Sequence, residues 1–211
     1  TADCFYIGRK SHGRYVSIHG WSRSVATNKA RYALNVTGSS NDFVTSHFEG
    51  AYTANVSISG NDNTISDSCQ VYAAQNGVNV QLVGSAAGNV IKARIGAPVP
   101  NTPNSVGVMF GRSVGDEPNN NTIDCNMINQ LAGCVQFPSS GGKNRINVTG
   151  FMASGNVIEG AMLTTEHVTA EIVIGSTNVK FDTYSQSVWL GINANDYLSW
   201  TFPYKFFSTP C

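Results

Sequence analysis

The 211-residue, 22.5 kDa chain carries 13 Lys and Arg against 13 Asp and Glu, with 12% charged and 41% apolar residues. This balance excludes a basic surface able to neutralise a run of nucleic-acid phosphates, and it excludes disorder, which needs low hydrophobicity with high net charge. One domain or one elongated module fits the length, and no apolar run approaches the roughly 18 residues of a membrane helix, so neither nucleic acid nor membrane insertion is expected.

Residues 1–14 read as a lead-in segment. Gly8 to Arg14, GRKSHGR, lacks the GxxxxGK[ST] order of a phosphate loop, so a solvated basic loop is expected there. Thr1 is not an initiator residue, so a preceding region is expected. From residue 15 to 183 one phrase recurs, in which a β-branched run ends in Gly, passes through Asn and resumes. It reads LNVTGSSNDFVTSHF from Leu34, VSISGNDNTISDSC from Val56, VQLVGSAAGNVIKARI from Val80, NNNTIDCNMI from Asn119, GGKNRINVTGF from Gly141 and IVIGSTNVKF from Ile172. Asn41, Asn63, Asn89, Asn121, Asn144 and Asn178 align at intervals of 22, 26, 32, 23 and 34 residues, about one solenoid coil each.

The second residue after the aligned Asn is Phe43, Ile65, Ile91, Ile123 or Ile146, which predicts a column of side chains stacked inward. Ile18, Val36, Ile58 and Leu82, each two residues before a Gly, predict a second one. Strand alternation then turns Ser66, Lys92, Asp124 and Asn147 outward, followed by Ser46, Ser68, Arg94, Asn126 and Thr149. Helical spacing is almost absent, so the fold class is all-β, a solenoid of about seven coils. Extra length at 97–105, with Pro98, Pro100 and Pro103, and at 112–120, with Asp116 and Glu117, predicts loops bulging from the coil. Residues 184–211 lose the repeat. Their Trp189, Leu190, Trp200, Phe202, Phe206 and Phe207 suit a cap over the open last rung or a trimerisation segment. Cys4, Cys69, Cys125, Cys134 and Cys211 are scattered and read as buried thiols, with a single disulfide as the alternative.

Rungs such as VSISGNDNTISDS and GNVIKARIG resemble the right-handed parallel β-helix of pectate-lyase-like proteins, and phage tailspikes most of all. The resemblance covers about residues 15 to 183 and rests on repeat character rather than on a catalytic motif. It implies an extracellular virion-tail adhesin, folded in the host cytoplasm, whose homotrimer binds a bacterial surface polysaccharide. Other tail proteins would be its partners through a region before Thr1. The alternatives it implies are a polysaccharide depolymerase, hydrolase or lyase, and a passive shaft of a longer spike. It transfers no site residues.

From the residues themselves, Lys92 and Arg94 point the same way and suit a sugar carboxylate, Asn126 suits hydroxyls, and Trp21 and Tyr72 suit ring stacking. Tyr52 suits the same stacking role. Glycan hydrolysis needs two carboxylates roughly 5 to 10 Å apart. Asp124, Glu159 and Glu166 are the catalytic candidates, but no acid pair declares itself. His47 falls at an inward phase, as a core or edge histidine. With no calcium-loop motif and no Cys/His cluster, neither a metal nor a cofactor is expected. Sequons at Asn35, Asn55, Asn120 and Asn147 are expected by chance in so Asn- and Thr-rich a chain.

Overall fold

The computed structural model describes residues 3–9, 12–21, 30–72, 77–96, 106–113, 115–130, 133–138, 142–152, 156–160, 166–182 and 187–191. The first rung consists of β1 (Phe5–Ile7), β2 (Gly13–Val16) and β3 (His19–Trp21), the second of β4 (Tyr32–Val36), β5 (Asn41–Val44) and β6 (His47–Glu49). β7 (Ala54–Ile58), β8 (Thr64–Ile65) and β9 (Gln70–Tyr72) form the third, and β10 (Val78–Leu82), β11 (Val90–Ile91) and β12 (Arg94–Gly96) the fourth. Beyond it the last two strands of each rung fuse. β13 (Val106–Phe110) leads to β14 (Thr122–Gln130), β15 (Gly133–Phe137) to β16 (Arg145–Met152), and β17 (Asn156–Gly160) to β18 (His167–Ile174).

Like strands of successive rungs pair in parallel, giving a first sheet ordered β1-β4-β7-β10-β13-β15-β17. The second sheet has two arms, β2-β5-β8-β11 and β3-β6-β9-β12, which meet in β14 and continue through β16 to β18. The protein is therefore an all-β parallel solenoid, with no helix among the described residues. Five strands of the first sheet, β4, β7, β10, β13 and β15, have a parallel neighbour on both sides. Counted as turns flanked on both sides, the coil amounts to about five rather than the seven expected, with a terminal rung at either end.

The predicted inward column exists as one stack: Phe43 pairs with Ile65, Ile65 with Ile91, Ile91 with Ile123 and Ile123 with Ile146, all of them buried. Tyr15 extends it at one end, its ring stacked on Phe43, and Val168 at the other. Each such side chain removed from water contributes about 1.5–3 kcal/mol, so the column is a large apolar term holding rung to rung. The second column is Ile7, Val36, Ile58, Leu82 and Phe110, carried by the first sheet. Ile18 is not part of it. The first rung supplies Ile7, because Ile18 lies in the bend between β2 and β3, where it packs against the core from the other sheet.

The aligned asparagines form a buried ladder. Asn41 donates from its backbone N–H (3.1 Å) and its Nδ2 (2.9 Å) to Asn63 Oδ1, and Asn63, Asn89 and Asn121 repeat the pattern onto Asn89, Asn121 and Asn144. The second hydrogen of each Nδ2 goes to a backbone carbonyl, Gly38 for Asn63 and Gly60 for Asn89. At this corner the rungs touch through backbone: a Cβ on Gly60 would overlap the Gly38 carbonyl oxygen. Asn41 Oδ1 begins the ladder without a hydrogen-bond partner, and its register partner in the first rung is Gly13, which has no side-chain amide to offer. Asn178 does not belong to the series. It lies in β19 (Thr177–Asp182), which turns back antiparallel onto β18, followed by β20 (Ser187–Gly191). Glu166 occupies the sixth position instead, accepting from Asn144 N–H at Oε2 and from Asn144 Nδ2 at Oε1, both at 3.0 Å.

Three further expectations are corrected. Cys69, Cys125 and Cys134 are buried free thiols, but Cys4 is exposed. Burial pushes the Cys125 thiol up to about 12, so it stays protonated and unreactive. Ser46 is buried rather than outward, its hydroxyl donating to the Val44 carbonyl. His47 is on the outside, with Phe48 taking the core position beside it. Residues 184–211, apart from the backbone of β20, and the 97–105 loop lie outside the described residues.

Candidate functional site

The outward face of the second sheet is where polar chemistry collects, because its inward positions are filled by the Phe43–Ile146 column and by Phe48, Val71, Ile95 and Met127. Parallel register fixes which outward residues are neighbours. His19, His47, Gln70, Arg94, Asn126, Thr149 and Glu171 succeed one another along one column. Two residues further along the strands, Trp21, Glu49, Tyr72, Gly96, Ile128 and Phe151 form the adjacent one. On the other side, Lys92 follows Ile91 and Asp124 follows Ile123, so the two are rung neighbours.

All five residues singled out for ligand contact are thus on this face. Lys92, Arg94 and Asn126 are exposed, Trp21 is 57% exposed and Tyr72 is half-buried. Asn126 Nδ2 donates to Thr149 Oγ1 of the next rung, at 3.3 Å.

The catalytic candidates do not converge. Asp124 is exposed and accepts from Asn147 Nδ2 at 2.9 Å. Glu166 is buried at the end of the asparagine ladder, on the inside. Burial raises its carboxyl above the usual range, opposed by the hydrogen bonds from the Asn144 side chain and backbone. Glu159 is in β17, with only its backbone described, beside Gln136. The other exposed carboxylates of the second sheet stand near bases: Asp42 is 3.5 Å from Arg14, Glu171 is 2.8 Å from Lys180, and Asp182 is 3.5 Å from His167.

One cluster escaped the sequence reading. His19 and His47, 28 residues apart, stack in register with ring centroids 4.9 Å apart and planes 7° apart. Glu49, two residues after His47, places Oε1 3.4 Å from His19 Nε2 and Oε2 3.4 Å from His47 Nε2. Tyr72 closes the side of His47 edge-on at 5.5 Å. Each histidine stands two residues after a left-handed hydroxyl residue, Ser17 or Thr45, so the signal in the repeat requires the bend to be placed correctly.

No family model, curated protein or solved structure matches the chain. Among the described residues no helix is long and apolar enough to cross a membrane.

Proposed function

We propose that the outward face of the second sheet binds a polysaccharide, as the receptor-binding side of a tailspike-like, trimeric virion-tail protein facing a bacterial surface. One observation carries the reading. Lys92 falls in one column, Arg94 and Asn126 in the next, and Tyr72 and Trp21 in the one beyond, three adjacent columns of a single face. Strand neighbours on one face repeat at about 4.8 Å across rungs and about 7 Å along a strand, the scale of successive sugar rings. Arg94 and Lys92 suit a uronate or sialic carboxylate, Asn126 the hydroxyls, and the aromatic rings an apolar sugar face. Binding is favoured over depolymerisation because Asp42, Asp124, Glu171 and Asp182 are each engaged by a base or an amide.

The test is incubation with purified capsular and O-antigen polysaccharides, following retention together with new reducing or unsaturated ends. Retention without new ends is expected, weakened about tenfold or more in the Lys92→Ala/Arg94→Ala double variant by loss of two charge-assisted contacts. New ends would make the protein a depolymerase, and no retention on any glycan would leave it a shaft.

Trimerisation belongs to the same reading. With 12% charged residues and Phe5, Tyr6 and Val16 exposed, the coil has little to keep its sides apart in solution. Sedimentation equilibrium is expected to give three times 22.5 kDa. A folded monomer at micromolar concentration would remove the trimer and weaken the tailspike analogy with it.

A further inference from the structure

We infer that His19, His47 and Glu49 form a binding site for a divalent transition-metal ion of the zinc type, which clips the first rung to the second. The three side chains come from two rungs and meet through the register of β3 with β6. Their ligand atoms, one from each, all lie within 4.8 Å of one another. Two of the separations, His19 Nε2 to Glu49 Oε1 and His47 Nε2 to Glu49 Oε2, are 3.4 Å. Ligand atoms about 2.1 Å from a tetrahedral ion stand roughly 3.4 Å apart, so each imidazole already has that separation from its own Glu49 oxygen, and an ion between them would be held by both carboxylate oxygens or by one after a small turn of the carboxylate. The remaining gap, between the imidazole nitrogens, closes by tilting the His19 ring, whose side chain is 59% exposed.

A second observation points the same way. His47 Nε2 is buried at the atomic level and has no hydrogen-bond partner. Its 3.4 Å approach to Glu49 Oε2 is close enough for charge attraction but lacks hydrogen-bond alignment. A nitrogen withdrawn from water and left unpaired costs free energy, and an ion held between it and the carboxylate removes that cost. The donor set selects the metal class. Two imidazole nitrogens and one carboxylate suit borderline ions such as Zn2+, whereas Ca2+ and Mg2+ require a shell of oxygens. Three protein ligands leave at least one position to water or to an oxygen of a bound molecule, on the solvent side next to Trp21.

The physical consequence concerns the edge of the coil. β3 has three residues and ends its arm of the second sheet, with β6 as its only neighbour in that order. An ion bridging His19 to His47 and Glu49 adds a link across this three-residue pairing at the end of the arm. The site does not involve Lys92 or Arg94, so it stands or falls separately from the glycan reading.

The test uses the full chain, stripped with a chelator and titrated with Zn2+ in a competition assay against a chromophoric chelator. One equivalent per chain is expected to bind at micromolar Zn2+. His19→Ala and Glu49→Gln, with far-UV circular dichroism recorded to check that the fold is kept, are each expected to weaken binding at least about tenfold. Cys4→Ser and His167→Ala are expected to leave it intact. In the unsubstituted protein the ring 15N resonances of His19 and His47 should shift together on Zn2+ addition, which reads coordination without any variant. Absence of stoichiometric binding at about 100 µM Zn2+, equal affinity in His19→Ala and Glu49→Gln, or loss of binding in Cys4→Ser would each overturn the site.

Discussion

Ile123→Asp is expected to cost at least about 4 kcal/mol and to leave the chain unfolded or aggregated at ordinary temperature. Ile123 is fully buried between Ile91 and Ile146, so a carboxylate there loses the apolar contacts of two rungs and finds no cation or donor to offset its desolvation. The neighbouring position supplies the control. Asp124 faces outward with only an exposed hydrogen bond to Asn147, so Asp124→Ala is expected to change stability by less than about 1 kcal/mol. Urea denaturation of the two variants reads the phase of β14 directly. Similar midpoints for both would contradict the burial of the column.

That column was legible because the sequence repeats it in a fixed relation to asparagine. The residue two after Asn41, Asn63, Asn89, Asn121 and Asn144 is large and apolar each time, and strand geometry permits only one face for it. The same reasoning failed where pattern and register part company. The phrase around Asn178 has the right composition, yet β19 pairs antiparallel with β18, and the sixth ladder position belongs to Glu166, which no asparagine pattern could reveal. Glu166 resembles a candidate acid in sequence. Its burial and its two bonds to Asn144 make it the terminus of a structural series.

The outward face was legible only where the strand runs unbroken. In β14 and β16, Asp124, Asn126, Asn147 and Thr149 are outward as alternation requires. In the first two rungs the chain bends through Ser17 (φ 56°) and Thr45 (φ 51°), and a left-handed residue interrupts the alternation. Counting from Phe43 therefore turns Ser46 outward and His47 inward, the reverse of what the bend produces. Non-Gly residues in that conformation carry no sequence signature here, so the histidine pair and Glu49 were hidden by a phase shift. The ligand candidates Lys92 and Arg94 escaped it because Ile91, Ala93 and Ile95 keep strict alternation through the fourth rung.

Exchanging oxygen and NH2 in opposite directions at two points of the ladder is expected to destabilise the fold both times. Asn89 is fully buried. It accepts two hydrogen bonds from Asn63 at Oδ1 and donates two from Nδ2, to the Gly60 carbonyl and to Asn121 Oδ1. Asn89→Asp keeps the accepting half but sets a second carboxylate oxygen against those two acceptors inside the protein, at a cost of about 3–5 kcal/mol. At the end of the ladder the requirement inverts. Glu166 meets only donors from Asn144, so Glu166→Gln opposes an NH2 group to an N–H, at a cost of about 1–3 kcal/mol. The acid adds a pH signature. Burial raises the Glu166 pKa above its ordinary 4.5, against the hydrogen bonds from Asn144, so its folded form favours the proton. The stability linked to that proton is complete below 4.5 and declines as pH rises through the raised folded value. Glu166→Gln has no such decline, so its deficit relative to the parent protein is expected to be largest in acid and to narrow as pH increases. Urea midpoints measured across that range decide it. A midpoint for Asn89→Asp within error of the parent would show that the amides are not arranged as a continuous donor-acceptor series.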